Sequence, residues 1–91
     1  MNYNTLVEQN YSKIHSIAKS KASKYFFIEA DDLCQESLLR AMEYFENFSP
    51  EKGSFVNWVS NIMDNLIKDL IKEERKKKNA LQNYRNNWEG V

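Results

Sequence analysis

The chain has 91 residues and a formal net charge of zero, a length that allows one domain at most. Its apolar share of 42% supports a single core, while two glycines and one proline are too few for an all-β fold with many tight turns. A single cysteine and a single histidine exclude an internal disulfide and a zinc site built from Cys and His.

The first predicted element is an amphipathic helix over about residues 4–25. Apolar side chains recur there at steps of three and four, the spacing of one helix face. These residues are Leu6, Val7, Tyr11, Ile14, Ile17, Ala18, Ala22 and Tyr25. The run Phe26-Phe27-Ile28 breaks the period, so we expect the helix to end there.

The second predicted helix begins after Asp31, which we expect to be its N-cap. Asp32 and Glu36 then place negative charge at the positive end of the helix dipole. The apolar stripe comprises Cys34, Leu38, Ala41, Phe45 and Phe48, and a second row comprises Gln35, Leu39 and Met42. Two interpretations are open: the core encloses the helix on both sides, or the second row is a contact surface.

A loop over residues 49–53 separates the second helix from the third, since it holds the proline and a glycine. Ser54 is expected to cap the third helix, which should run from about Phe55 to Glu74. Its core stripe is Phe55, Trp58, Val59, Ile62, Leu66 and Leu70.

These elements predict an all-α fold, a compact bundle of three main helices with a possible short fourth. The domain is expected to occupy residues 1–78. Residues 79–91 are rich in Asn, and we interpret them as a polar tail, a linker or a frayed helix.

Charge is unevenly distributed along the chain. Residues 1–28 carry four lysines against Glu8, residues 29–51 carry seven carboxylates against Arg40, and residues 52–91 carry eight basic and five acidic side chains. This pattern predicts two different partners, or else only solvated helix faces. The polar start lacks the apolar run of a signal peptide, and no stretch of about 18 apolar residues occurs. We therefore expect a cytoplasmic protein without membrane contact.

Catalysis has little support in the sequence. His15 lies in no recognisable nucleophile motif, the Asp31-Asp32 pair has no second acidic cluster for a metal, and no glycine loop could hold a phosphate. We expect neither an enzyme nor a cofactor.

Three motifs occur in order along the chain, in residues 31–41, 48–55 and 55–72. Residues 31–41 contain D-L-x-Q-E and residues 48–55 contain F-x-P-x-x-G-x-F. At matching distances, the two segments resemble the acidic helix and the connector in the second conserved region of sigma-70 family factors, in its extracytoplasmic-type form. The spacing of Phe55, Trp58, Val59, Ile62, Asn65, Asp69 and Lys72 is similar to F-x-x-W-L-x-x-I-x-x-N-x-x-x-D-x-x-R. The resemblance covers roughly residues 5–78.

The resemblance implies that the acidic helix binds the clamp helices of the largest subunit of bacterial RNA polymerase. The polymerase-binding residues would be Asp32, Gln35, Glu36, Leu39 and Met42. Carboxylates, an amide and an apolar centre suit such an interface. The alternatives are that Asp31 and Asp32 only cap the helix and that Leu39 and Met42 belong to the core.

The resemblance also implies that the loop and the third helix bind the non-template strand of the −10 promoter element and help to open it. The DNA-binding residues would be Ser49, Lys52, Ser54, Asn57, Asn61, Asn65, Lys68 and Lys72, which offer the cations and polar groups that single strands need. Phe55 and Trp58 fit the core better than a base contact. Lys76, Lys77 and Lys78 fit phosphate contacts or a solvated tail equally well.

Some features depart from the family pattern. Asp64 stands where a basic residue is usual, Val59 replaces Leu, and Lys72 replaces Arg. Asp64, Asp69, Glu73 and Glu74 place four carboxylates on the helix expected to meet DNA, which weakens affinity for phosphate. The chain also leaves no room for the C-terminal region 4, so we expect a fragment or a stand-alone subunit.

Two other functions compete with a sigma-like initiation module. One is a co-sigma subunit or decoy that docks on polymerase, or on a partner sigma subunit, without reading DNA, and Asp64 favours it. The other is an ordinary DNA-binding regulator, for which the helix spacing is poor. An anti-sigma factor, or a separate subunit carrying region 4, is a further candidate partner.

Overall fold

The computed structural model describes the backbone of residues 2–89 and the side chains of residues 2–80. Within this part, the chain forms three α-helices without strands: α1 (Tyr3–Ala22), α2 (Ala30–Glu43) and α3 (Phe55–Glu89). A short 3₁₀ turn, Phe45–Asn47, follows α2. The predicted all-α bundle of three main helices is confirmed.

Helix α1 begins close to the predicted position but ends earlier than predicted. The Asn2 side chain caps it by accepting a hydrogen bond from the Asn4 backbone N–H at 2.9 Å. The helix ends at Ala22, so the prediction that it reaches Tyr25 was wrong by about one turn. Ser23 closes the end with backbone hydrogen bonds to the preceding turn, and a non-helical connection then leads to α2.

The predicted N-cap of α2 was wrong. Glu29 occupies the cap position with extended backbone and makes no side-chain cap bond, while Asp31 already lies in the first helical turn. The Asp31 carboxylate instead lies 2.8 Å from Nε2 of His15 on α1. The Asp31 carboxylate therefore contacts the neighbouring helix and does not cap its own.

Helix α2 ends at Glu43, before Phe45 and Phe48, which were predicted to belong to its apolar stripe. Phe45 belongs to the 3₁₀ turn and Phe48 follows it. Both nevertheless pack on the start of α3. Between ring centroids, Phe45 lies 6.4 Å from Phe55, and Phe48 lies 5.6 Å from Phe55 and 5.2 Å from Trp58. The period therefore identified the correct packing partners but overestimated the length of the helix.

Ser54 caps α3 as predicted, since its hydroxyl accepts a hydrogen bond from the Asn57 backbone N–H at 3.1 Å. The helix continues well past Glu74 to Glu89, which also includes the residues of the possible fourth helix. No Gly or Pro interrupts this segment, so nothing in the sequence forces an end. The side chains of Leu81, Tyr84 and Trp88 lie outside the described residues.

The core lies where the three helices meet. The aliphatic stripe of α1 packs against α2 and α3 through Ile14, Ala18 and Ala22. The most deeply buried side chains of the other helices are Leu33, Cys34, Ser37, Ala41, Val59 and Met63. Phe55 is also buried, as predicted, whereas Trp58 is only half-buried at the edge of the core.

Candidate functional site

One face of α2 is exposed along its whole length. It carries Asp32, Gln35, Glu36, Leu39 and Met42, all of them exposed, and we call it the α2 face. Leu39 and Met42 expose 53% and 54% of their surface. The second row of α2 is therefore a surface, and the interpretation that Leu39 and Met42 belong to the core was wrong.

The rest of α2 explains why this face points outward. Leu33, Cys34, Ser37 and Ala41 fill the opposite side of the helix and are buried. A helix that is buried on one side must expose residues at intervening positions, because successive residues turn by about 100°.

Two grooves flank the α2 face. One lies against α1, has a volume of about 560 Å³, and is lined by Tyr3, Asn4, Val7, Glu8, Gln35, Leu38, Leu39 and Met42. Within this lining, the Tyr3 hydroxyl of α1 donates a hydrogen bond to the Leu38 carbonyl of α2. The other groove lies against α3 and includes Asp32 and Glu36. The five predicted polymerase-binding residues therefore form one ridge between two grooves.

A cleft of about 460 Å³ opens at the start of α3, and we call it the α3 cleft. Three segments build it: the 3₁₀ turn, the loop and the first two turns of α3. Its lining residues are Asn47, Phe48, Ser49, Lys52, Gly53, Ser54, Asn57, Trp58, Ser60 and Asn61.

Five of the eight predicted DNA-binding residues line the α3 cleft: Ser49, Lys52, Ser54, Asn57 and Asn61. The other three, Asn65, Lys68 and Lys72, do not reach it but are exposed farther along the same side of α3. With Asn57 and Asn61 they form a continuous series at steps of three and four, which we call the α3 row.

The sequence interpretation missed part of the cleft. Asn47, Ser60 and Trp58 line it, although Trp58 was assigned to the core. The half-buried indole packs on Phe48 and still contributes to the cleft wall. Helical periodicity gives no signal for Asn47, because this residue lies in the 3₁₀ turn and is brought to the cleft by the loop.

A family model for sigma-70 region 2 matches residues 6–77. The chain belongs to the sigma-70 region 2 family. No curated protein and no solved structure matches it significantly. Membership makes the chain a sigma-type transcription-initiation module, in a family of non-enzymatic domains that act with RNA polymerase core and promoter DNA.

Asp64, Asp69, Glu73 and Glu74 are the α3 carboxylates expected to weaken DNA binding. Two of them form ion pairs within this region 2 domain. Asp64 lies 2.6 Å from Nζ of Lys21 on α1, and Asp69 lies 3.6 Å from a guanidinium nitrogen of Arg40 on α2. Each pair links α3 to a neighbouring helix. The negative charge that the sequence places near the α3 row is therefore partly compensated by tertiary contacts.

Two titratable side chains near the α2 face, those of Cys34 and Tyr3, have shifted pKa values. Burial raises the pKa of the Cys34 thiol, and the nearby Asp31 charge adds to this effect, against a hydrogen bond with Tyr11 that lowers it. Burial likewise raises the pKa of Tyr3. A thiol that stays protonated is a poor nucleophile.

Within the described residues, no group of three His, Cys, Asp or Glu side chains is placed to hold a metal ion. None of the helices in that part of the chain combines the length and apolarity that a membrane span requires.

Proposed function

We propose that this sigma-70 region 2 domain docks on the clamp helices of bacterial RNA polymerase through the α2 face. We further propose that it binds the non-template strand of the −10 promoter element at the α3 cleft and the α3 row, and so contributes to strand opening. The observation that carries this proposal is the separation of two exposed surfaces of different chemistry on one small core.

The composition of the α2 face supports a protein partner. Leu39 and Met42 supply an exposed apolar centre of the kind that protein interfaces bury, and Met adapts its shape easily. Asp32 and Glu36 flank this centre and can pair with basic side chains, while Gln35 adds directional hydrogen bonds. Large apolar side chains grouped on an exposed helix are uncommon in a monomer that binds nothing.

The composition of the α3 cleft supports a single-stranded nucleic acid. Hydroxyl and amide groups from Ser49, Ser54, Asn57 and Asn61 can bond to base edges, and Lys52 can meet a phosphate. The cleft volume of about 460 Å³ lies within the range of ordinary ligand sites. Beyond it, Lys68 and Lys72 continue along the α3 row in the direction that a bound strand could follow.

The polymerase contact is tested by measuring the affinity of the full chain for core polymerase and for a clamp-helix fragment. Glu36→Lys should weaken binding about tenfold or more, because the new cation faces basic side chains of the partner. The matched control is Glu51→Lys, which makes the same charge change in the exposed loop. Equal affinities for wild type and Glu36→Lys would refute docking through the α2 face.

The DNA contact is tested with fluorescent single-stranded oligonucleotides, one T-A-rich like a −10 element and one with the same bases scrambled. The proposed function requires tighter binding of the first, and a loss of that preference in Asn57→Ala and Asn61→Ala. Gln9→Ala, an exposed substitution on α1, serves as the control. Polymerase binding without any DNA preference would instead support the accessory subunit or decoy.

A further inference from the structure

The shortest ion pair among the described residues joins α1 to the DNA-facing side of α3. Nζ of Lys21 lies 2.6 Å from a carboxylate oxygen of Asp64. The Lys21 side chain is 24% exposed and that of Asp64 is 51% exposed. The lysine is therefore largely enclosed, while the carboxylate borders on solvent beside the α3 row.

The position of Asp64 makes this contact important for DNA binding. Asp64 follows Asn61 by three residues and precedes Lys68 by four, so it neighbours both on the helix surface. An uncompensated carboxylate at this point would repel a phosphate. It would also attract Lys68 into an ion pair within the helix, at the spacing at which such pairs form.

We propose that Lys21 is a positioning residue of the DNA-binding surface. By holding the Asp64 carboxylate, Lys21 cancels its charge and leaves Lys68 available for phosphate. Among the described residues, Lys68 makes no ion pair, which is consistent with this role. The proposal rests on the proposed DNA contact and extends it to α1, a helix that contributes no residue to the α3 row.

A purely structural role for the pair makes a different prediction. Lys21→Met and Asp64→Asn both break the same ion pair, so both would destabilise the fold slightly and change DNA affinity in the same direction. The electrostatic role requires a loss of DNA affinity in Lys21→Met alone. Loss of Lys21 exposes a negative charge to DNA, whereas Asp64→Asn removes a charge that is already cancelled.

The experiment is a double-mutant cycle on the full chain, with affinity for the T-A-rich oligonucleotide measured by fluorescence anisotropy at low salt. Lys21→Met should weaken binding about fivefold, an effect that screening by salt reduces, whereas Asp64→Asn should change it by less than about twofold because Lys21 already cancels the charge that it removes. In the Asp64→Asn background, Lys21→Met should change affinity less than about twofold. Lys19→Met is the matched control, because Lys19 is an exposed lysine on the opposite side of the same helix turn.

The outcomes separate the inference from the proposed function. If Lys21→Met weakens binding equally in both backgrounds, Lys21 contacts phosphate directly and the positioning role is wrong. It is also wrong if Lys21→Met and Asp64→Asn shift the affinity in the same direction, or if neither shifts it. In each of these cases the wild-type chain still binds the oligonucleotide, so the DNA role stands. A wild-type chain that binds no oligonucleotide overturns both.

Discussion

The α2 face and the α3 cleft lie on the same core but are built in different ways. All five residues of the α2 face come from one helix, and their placement follows from the rotation of that helix against its buried side. The α3 cleft is assembled from a turn, a loop and a helix start. A surface carried by one helix can be predicted from periodicity, whereas an assembled cleft depends on how the segments pack.

The two regions also differ in whether their carboxylates form ion pairs with neighbouring helices. The carboxylates Asp32 and Glu36 of the α2 face make no ion pair among the described residues and are open to a partner. On α3, Asp64 and Asp69 are held by Lys21 and Arg40. Negative charge is thus left available where a basic protein is the expected partner and is partly compensated where DNA is expected.

The largest effect should come from the core that both regions share. Met63 is fully buried in α3, and Met63→Ala should lower the free energy of unfolding by about 2–5 kcal/mol because it leaves a cavity. Urea unfolding followed by circular dichroism measures this. Polymerase and DNA binding should then fall together. Loss of only one of them would mean that the two surfaces do not depend on the same core.

A smaller and selective effect is expected at the α2 face. Leu39→Glu should weaken clamp-helix binding by about tenfold or more, which corresponds to about 1.4 kcal/mol. The free energy of unfolding should change by no more than about 0.5 kcal/mol, since the side chain is exposed. Leu39→Met, which keeps the apolar volume, is the control. A large loss of stability in Leu39→Glu would show that Leu39 belongs to the core after all.

A few-fold effect is expected on the α3 row. Lys68→Gln should weaken oligonucleotide binding and reduce the slope of log affinity against log salt by about 0.7, because one phosphate contact is lost from a single strand. Clamp-helix binding should stay the same. Lys19→Gln, which removes an exposed lysine from α1, is the control. An unchanged salt slope would exclude a phosphate contact at Lys68.

The smallest effect concerns alkaline pH. The folded-state pKa of Cys34 is raised above its ordinary value of 9.0 and that of Tyr3 above 10.0. The unfolded chain therefore loses these protons first, so stability is complete below about pH 9 and falls as pH rises towards the folded-state pKa values. Urea midpoints measured between about pH 8 and pH 11 test this, and Cys34→Ser should reduce the decline. A midpoint that does not change over that range would contradict the prediction.

Much of the α2 face can be predicted from helical periodicity alone. The stripe of Cys34, Leu38 and Ala41 leaves Gln35, Leu39 and Met42 on another side of the helix. The sequence could not decide between a second packing surface and an exposed one, because the answer depends on whether another helix covers that row. In the folded chain, α1 and α3 lie on either side of α2 and leave the row uncovered.

The errors have a common physical origin. Asp31 matched the preference for an N-cap, yet α2 begins at Ala30 and the Asp31 carboxylate contacts His15 on α1. Phe45 and Phe48 matched the period of α2, yet the chain turns first and brings them to α3. In each case, the residue contacts another that is distant in sequence, and a local preference of about 1 kcal/mol does not specify such a contact.

By itself, the sequence determined the helical class, the order of the three helices, the cap at Ser54, and the family to which the chain belongs. These properties follow from local periodicity and motif spacing, which do not depend on how the helices pack together. Only the tertiary structure decided that Asn47 and Trp58 belong to the α3 cleft and that Lys21 holds Asp64. Such contacts join residues far apart in sequence, and no local pattern specifies which side chains will meet.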